Sequence, residues 1–371
     1  MKFHIQKDIF EENLSTASRF ISTKVSSIQS IQGARIITQK DHILLTTTNL
    51  NDFYHVKIPA KVEEEGEIVF DLKKTAEFIN LLGTGDIEMK LDGGSLVVSQ
   101  AKNKGYFNTY SVEDFPTIPQ VEGKTMEISK DIVEKLQLVL FSASKEEARP
   151  VLTGVFFGSK GGGGEIVSTD GFRLSLLRPE KNSSDLPGVI IPSHVLAEAV
   201  RQLKKGGAIT ATLSDTEKTM SFNFGDASIY TRAIEGEFPP YEKVIPKTHT
   251  TKLLVEKDEF LRNIKLVSVF AREQGDIILL DIKKDGLTLR PKTTQGTDTQ
   301  VFMEQIEHEG EEIKIAFNYR YVVDFLNTIS TEKIVIELTT STAPAVFRDP
   351  KSENYLHIIM PLRTEETSPE E

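Results

Sequence analysis

Few residues in this chain have types and spacings that could do chemistry. The run Gly161–Gly164 has the composition of a phosphate-cradling loop, but no Gly-Lys-Ser or Gly-Lys-Thr follows it. It lies between strand-like runs and reads as a hairpin tip. The seven histidines, His4, His42, His55, His194, His249, His308 and His357, are scattered. None forms an i, i+4 pair on a helix, and there is no cysteine to complete a ligand set. Ser168 and Ser175 flank Asp170 without the Gly-x-Ser-x-Gly elbow of a hydrolase. Glu63-Glu64-Glu65 reads as a solvated turn. No catalytic residue, no metal and no cofactor is therefore expected. The chemistry left open is binding.

Binding needs elements to carry it, and the elements repeat. Ile5-Gln6-Lys7-Asp8, Ile128-Ser129-Lys130-Asp131 and Val255-Glu256-Lys257-Asp258 share one pattern at a step of about 125 residues, and each leads into a helical run. Asp71, Ser193 and Asn318 keep the same step, each before a second helical run. All three are good N-caps, because a short side-chain oxygen can accept a free N–H of the first turn. Phe115-Pro116, Phe238-Pro239 and Met360-Pro361 also keep it. A residue before proline is pushed to extended geometry, so each pair reads as a strand exit.

A period this long matches a whole domain rather than a solenoid unit. The other regular segments are short and β-branched, as in Ile43–Thr48, Leu96–Ser99, Leu287–Leu289 and Ile334–Leu338, with turns at Asp92-Gly93, Asp170-Gly171 and Asp285-Gly286. The fold class is α+β: three tandem copies of one domain, each with two helices and antiparallel sheets. Boundaries are expected at 1–122, 123–248 and 249–363. Residues 364–371 are expected to be an acidic disordered tail.

The 371 residues carry a formal net charge of −11 and no cysteine or tryptophan. Disulfides and thiolate chemistry are excluded, and a reducing, cytoplasmic setting is expected. Met1-Lys2-Phe3-His4-Ile5 reads as strand rather than as a signal peptide, and no apolar run approaches the roughly 20 residues of a membrane span. The net charge argues against nucleic acid, but its distribution does not. The six helical runs hold more basic than acidic residues, so the acidic excess lies elsewhere. Local fields matter more than net charge for phosphate binding. Candidates for a basic helix lining are Lys24, Lys73, Lys74, Lys135, Arg149, Arg201, Lys204, Lys205, Arg262 and Lys265. Helix faces also carry Lys and Glu merely for solubility.

The chain resembles the bacterial sliding clamp family, the beta subunit of DNA polymerase III, from Met1 to about Arg363. The resemblance is carried by Met1-Lys2-Phe3, Thr169-Asp170-Gly171-Phe172-Arg173-Leu174, Gly236-Glu237-Phe238-Pro239-Pro240-Tyr241-Glu242-Lys243-Val244-Ile245-Pro246, Phe317-Asn318-Tyr319-Arg320-Tyr321 and Ile358-Ile359-Met360-Pro361-Leu362-Arg363. It implies a head-to-tail homodimer, a six-domain ring with helices around the hole. Double-stranded DNA would thread the ring without being read. Polymerase, clamp loader and repair proteins would bind through short peptides.

Carried over by motif, the peptide pocket would comprise Leu152, Thr169, Gly171, Phe172, Arg173, Leu174, Pro239, Lys243, Val244, Asn318, Tyr321, Pro344, Val346, Ile358, Met360, Pro361, Leu362 and Arg363. Leu174 and Val244 taken singly read as ordinary core. Phe172 stands where the family often has His, and Lys243 where Arg is common; Lys lacks the bidentate fork. The closing interface would pair the strand near Tyr106 and Phe107 with the segment around Val269 and Phe270. The tail is expected to compete weakly with acidic partner peptides, so its deletion should tighten their binding at low salt. Two other readings compete: a repeat-built peptide-binding scaffold that does not encircle DNA, and an enzyme with a site at a domain junction.

Overall fold

The computed structural model describes residues 1–22, 28–160, 163–179, 188–204, 209–214, 216–292, 299–304 and 306–367. The first third of the chain runs β1 (Lys2–Gln6), α1 (Lys7–Ala17), β2 (Gly33–Gln39), β3 (His42–Thr48), β4 (Asp52–Pro59), β5 (Lys61–Glu64), β6 (Gly66–Asp71), α2 (Leu72–Asn80), β7 (Asp86–Asp92), β8 (Ser95–Gln100), β9 (Asn103–Phe107) and β10 (Thr109–Tyr110). The middle third runs β11 (Gly123–Ile128), α3 (Lys130–Lys135), α4 (Gln137–Leu140), β12 (Gly154–Lys160), β13 (Gly163–Thr169), β14 (Arg173–Leu177), β15 (Val189–Pro192), α5 (Ser193–Lys204), β16 (Ile209–Ser214), β17 (Thr219–Phe224) and β18 (Ala227–Arg232). The last third runs β19 (Thr251–Glu256), α6 (Lys257–Ala271), β20 (Ile277–Lys283), β21 (Gly286–Pro291), β22 (Val301–Met303), β23 (Ile306–Gly310), β24 (Ile313–Asn318), α7 (Tyr319–Thr328), β25 (Lys333–Leu338), β26 (Ala345–Arg348) and β27 (Tyr355–Ile359).

Each Ile-x-Lys-Asp copy lies where a strand gives way to a helix. Lys7 and Lys257 open α1 and α6 directly after β1 and β19, and Lys130 opens α3 one residue after β11. Their backbone N–H groups show a repeated tie: Lys7 N donates to Gly85 O (2.9 Å) and Lys257 N to Glu332 O (2.8 Å). The Lys7 side chain is buried and pairs with Glu11 at 2.5 Å, and the Lys257 ammonium lies 3.4 Å from Asp258. The motif's lysine thus braces the helix entry. Asp71 and Asn318 cap α2 and α7 as expected, accepting from Lys74 N (3.1 Å) and Arg320 N (2.9 Å). Ser193 does not precede its helix but is the first residue of α5, with its N–H donated to Thr153 O at 3.1 Å.

Among the described residues all strand pairs are antiparallel, and the chain forms two compact units. The unit made of Met1–Lys130 and Arg201–Ala233 holds a five-stranded sheet, β5-β1-β7-β8-β9, and a nine-stranded sheet, β10-β6-β2-β3-β4-β18-β17-β16-β11. The unit made of Asp131–Val200 and Ile234–Glu371 holds β15-β12-β13-β14-β27-β26-β25-β19-β23 and the four-stranded β22-β21-β20-β24. Each nine-stranded sheet is one half-domain joined edge to edge to the next. The join β4–β18 (Phe53 opposite Tyr230) has the same place in its unit as β14–β27 (Leu174 opposite Ile358) in the other.

The turns before these joins are near copies. Thr169 Oγ1 donates to Arg173 O (2.6 Å) and accepts from Gly171 N (3.0 Å), while Asp170 Oδ1 accepts from Phe172 N and Arg173 N (both 2.9 Å). In the first third, Thr48 Oγ1 donates to Asp52 O (2.8 Å) and accepts from Leu50 N (2.9 Å), and Asn49 Oδ1 accepts from Asn51 N (3.0 Å) and Asp52 N (2.8 Å). The turn needs a left-handed residue at its third position. Gly171 has φ 93° and suits it, whereas Leu50 has φ 82° and is exposed. Leu50→Gly is therefore expected to raise stability by about 0.5–1 kcal/mol, because relief of Cβ strain outweighs the added freedom of the unfolded chain. A lowered urea midpoint would contradict this.

Several expectations are corrected. The middle first helix breaks at Leu136, whose N–H is shared between Ile132 O (3.0 Å) and Val133 O (3.2 Å). Glu63 and Glu64 are not in a turn but on β5, where Glu63 meets Lys2 (2.8 Å) and His4 (3.1 Å). The Lys2 ammonium, with a smaller contribution from His4, holds the Glu63 carboxyl below the usual range against the opposing effect of burial. Only Met360-Pro361 follows a strand directly. Phe115 and Phe238 lie in connecting segments, where Phe115 is buried and Phe238 packs on a core cluster. The Asp285-Gly286 turn is centred on Lys284-Asp285, with Gly286 opening β21. The tail is ordered at its start: Thr364 and Thr367 are buried, Leu362 N donates to Ala316 O (2.8 Å), and Glu366 pairs with Arg290. Two small hydroxyl side chains at that spacing close a turn, Thr364 N donating to Thr367 Oγ1 at 3.1 Å. Any competition with peptides would fall to residues 368–371, which lie outside the described residues.

Candidate functional site

The join β14–β27 carries a cluster of buried apolar side chains: Val167, Leu174, Leu176, Tyr241, Val346, Leu356 and Ile358, with Phe156, Phe238 and Ile245 packed against it. Register puts them together. Leu174 faces Ile358 across β14–β27, and Ile358 faces Val346 across β27–β26. Leu174 is core, as its single-residue reading had it, while Val244 is exposed. Around the cluster stand three rims.

The first rim is the β13–β14 turn. Arg173, buried at 8% exposure, donates through Nε to Asp170 Oδ2 (3.0 Å) and through Nη1 to Asp324 Oδ2 (2.6 Å). Its guanidinium lies over the rings of Tyr321 (4.7 Å) and Phe141 (5.5 Å). Phe172, 58% exposed, stacks on Tyr321 with centroids 6.4 Å apart. Partial burial and the nearby Asp170 carboxylate push the Tyr321 phenol up. Asn318 starts α7, which places Tyr321 and Asp324 one turn apart on the same face.

The second rim is the chain end. Met360 N donates to Phe172 O at 2.8 Å, so the segment Met360-Pro361-Leu362 leaves β27 alongside the turn, with exposed Arg363 following. The third is the connecting segment that holds half-buried Pro239 and exposed Lys243 and Val244 on a short 3-10 turn, Tyr241–Val244. Pro344 precedes β26 and is half-buried, Thr169 and Gly171 form the turn itself, and Leu152 is buried in the 3-10 turn Pro150–Leu152.

Sequence reasoning missed Asp324, Phe141, Tyr241 and Glu165. Asp324 is separated from Arg173 by 151 positions and no local signal ties them. Below the join, His357 is fully buried. Its Nδ1 lies 2.9 Å from Ser175 Oγ, and its ring packs on Phe141 and Phe325. Burial, then the charge of Arg173, holds its pKa well below the ordinary 6.5. Above that value neither the folded nor the unfolded chain is protonated there. Below it the unfolded chain takes up a proton that the folded one refuses. Stability should therefore fall as pH drops from about 6.5 to the folded pKa, with a slope approaching 1.4 kcal/mol per unit. His357→Gln should flatten that part of a plot of urea midpoint against pH, and an unchanged slope would refute the assignment.

Of the basic candidates, Lys73 and Lys74 are exposed on α2, and Arg262 and Lys265 on α6. Arg262 and Lys265 line a shallow groove of about 480 Å³ with Asp258, Leu261, Leu266 and Val269. Lys135 is paired with Asp131 at 2.9 Å, Arg149 is exposed, and Arg201 lies on α5. Lys24 and Lys205 lie outside the described residues, as does the Lys204 side chain. Of the expected interface residues, Tyr106, Val269 and Phe270 are exposed. Phe107 is half-buried against Phe78, with centroids 5.4 Å apart. Among the described residues, no group of His, Cys, Asp and Glu could hold a metal ion, and no helix is long and apolar enough to cross a membrane.

Three family models match this chain in order: the N-terminal domain of the DNA polymerase III beta subunit over residues 1–119, the central domain over 127–240 and the C-terminal domain over 242–363. Beta sliding clamp proteins from Treponema pallidum and Halalkalibacterium halodurans are 29% and 28% identical, each alignment covering 98% of this chain and 100% of the relative. Among solved structures, the DNA polymerase III beta subunit of Thermotoga maritima (24% identical, 98% of this chain and 99% of that one) superposes with a TM-score of 0.89. The sliding clamp of Bacillus subtilis, at the same identity and coverage, gives 0.85. With all three domains matched in sequence and an α+β fold of three tandem copies, the chain belongs to the DNA polymerase III beta subunit family, the beta sliding clamps.

Proposed function

We propose that two copies of this chain close head to tail into a six-domain ring around duplex DNA, and that the ring tethers a polymerase and other factors through short peptides held at the β14–β27 join. The observation that carries this reading is the pattern of joined and unjoined sheet edges. By repeat position, β9 corresponds to β18 and β27, and β22 corresponds to β4 and β14. The second and third pairs are joined within the chain, whereas β9 and β22 each end a sheet. Pairing β9 of one copy with β22 of another would complete the series and cover two open edges.

The exposed apolar side chains support the same contact. Leu81 (86% exposed), Tyr106, Leu266, Val269, Phe270 and Phe302 lie on or beside β9, α2, α6 and β22. Two sets of exposed apolar side chains, one at each open sheet edge, suit a contact between copies. Inside the chain, α4 packs on α7 beneath the β14–β27 join, and α6 and α2 are the equivalent helices for the proposed contact.

In this reading the protein performs no reaction of its own. Exposed Lys73, Lys74, Arg262 and Lys265 would meet phosphates weakly and without reading bases, which permits sliding, while closure supplies retention. A tethered polymerase then sees the primer end at high effective concentration with no new contact to DNA. The cytoplasmic placement belongs with this reading. A scaffold that does not encircle DNA would leave the matching open edges without a role. The test is topological. Protein loaded by a clamp loader on nicked circular DNA should be lost when the circle is linearised; retention on linear DNA would overturn the ring.

A further inference from the structure

The segment from Pro239 to Pro246 forms one wall of the pocket, yet none of it belongs to a sheet. Three backbone bonds fold the segment on itself: Tyr241 N to Pro239 O (2.7 Å), Lys243 N to Pro240 O (3.4 Å) and Ile245 N to Glu242 O (3.3 Å). On one side, Phe156, Ser159 and the stretch Gly236–Glu242 line a groove of about 770 Å³, so solvent reaches behind the wall. Tyr241, with Ile245 packed on the core cluster, ties the wall to the domain. Its ring is buried against Phe156 (6.5 Å) and Phe238 (6.2 Å), which themselves stack at 5.3 Å. Its hydroxyl donates to Glu165 Oε2 on β13. Glu165 is 5% exposed, and Arg178 Nε donates to its other oxygen at 2.9 Å.

A buried carboxylate is costly unless it is paired and fully hydrogen-bonded. Here each oxygen has one donor, a cation on one side and a phenol on the other. A phenol donating to a charged acceptor makes one of the stronger neutral-to-ion bonds. The arrangement fixes the start of the Tyr241–Val244 turn relative to β13, and the last two residues of that turn, Lys243 and Val244, stand with Pro239 as the wall's contribution to the pocket.

We propose that Tyr241, Glu165 and Arg178 are positioning residues for the peptide pocket: the phenol–carboxylate–guanidinium latch sets where Lys243 and Val244 stand, and so sets peptide affinity. This rests on the pocket reading above. Tyr241→Phe removes the hydroxyl and leaves the ring. Its effect is read by fluorescence anisotropy on the full-length protein, with a labelled pentapeptide carrying two leucines and a phenylalanine as probe. The dissociation constant should rise about tenfold, mostly through a faster off-rate. Glu165→Gln keeps an acceptor for the phenol and should lose less than Tyr241→Phe. In a Val244→Ala background, Tyr241→Phe should have a much smaller effect, because the latch acts through the wall.

Equal loss in both backgrounds, or wild-type affinity in Tyr241→Phe, would overturn the latch. A general loss of folding would show as a fall in thermal midpoint together with that additivity. Failure of the pocket reading looks different. In that case a Met360→Asp control would bind the probe as well as wild type, whatever Tyr241→Phe does.

Discussion

Replacing Val269 and Phe270 together by glutamate is expected to turn a dimer into single chains of 41.5 kDa by native mass spectrometry. Both side chains are exposed on α6, so the isolated chain has no reason to unfold. Full burial of a valine or phenylalanine is worth about 1.5–3 kcal/mol each. Two carboxylates closed into an apolar contact add a desolvation penalty. The dimer dissociation constant should therefore rise by a thousandfold or more, since each 1.4 kcal/mol is about tenfold. Loading on circular DNA should vanish with it. Tyr106→Glu on β9 should act in the same direction, and mixing the two variants should restore one contact of the two, because the unaltered β9 side of one variant meets the unaltered α6 side of the other; the pair formed should stay open. Dimers that persist in the double variant would remove α6 from the interface and leave the strand pairing of β9 and β22 to be tested alone.

The second large effect is expected from Arg173→Ala. The guanidinium is the hub of the β13–β14 turn, bound to Asp170 and Asp324 and covered by Tyr321 and Phe141. Removing one partner of a buried ion pair leaves the other uncompensated and costs about 3–5 kcal/mol. Asp324 is nearly half exposed and can recover water, so the low end, about 3 kcal/mol, is expected. Probe binding should be lost as well, because Tyr321, on which Phe172 stacks, loses the cation over its ring. Arg173→Lys keeps a charge but cannot hold two carboxylates in one plane, and should recover less than half of the stability. Urea unfolding of the full chain measures the first effect and peptide titration the second. A variant as stable as wild type would mean that the two carboxylates are satisfied by solvent.

The two predictions draw on different kinds of information. The interface variant could be designed from sequence, because the family resemblance puts the segment around Val269 and Phe270 at the closing contact. The strand pairing β9–β22 could not, because it needs the correspondence among β4, β14 and β22, and these strands share no sequence signature. Arg173 was legible as part of Thr169-Asp170-Gly171-Phe172-Arg173-Leu174, and its partner Asp324 was not. A carboxylate on α7 reaches β14 only once β14 and β27 are joined, and nothing local in either segment records that meeting.

By itself the sequence determined the period, the three strand-to-helix entries, the caps of α2 and α7 and the fold class. These follow from short-range physics: a proline's effect on its neighbour, a carboxylate at the positive end of a helix, alternation along a strand. Tertiary structure decided which edges are joined and which remain open, that Leu174 is core while Val244 is exposed, that the tail's first turn docks, and that Tyr241 anchors a wall from outside any sheet. The reason is range. Each of those outcomes depends on groups far apart in the chain, whose meeting is fixed by sheet register and burial rather than by any spacing along the sequence.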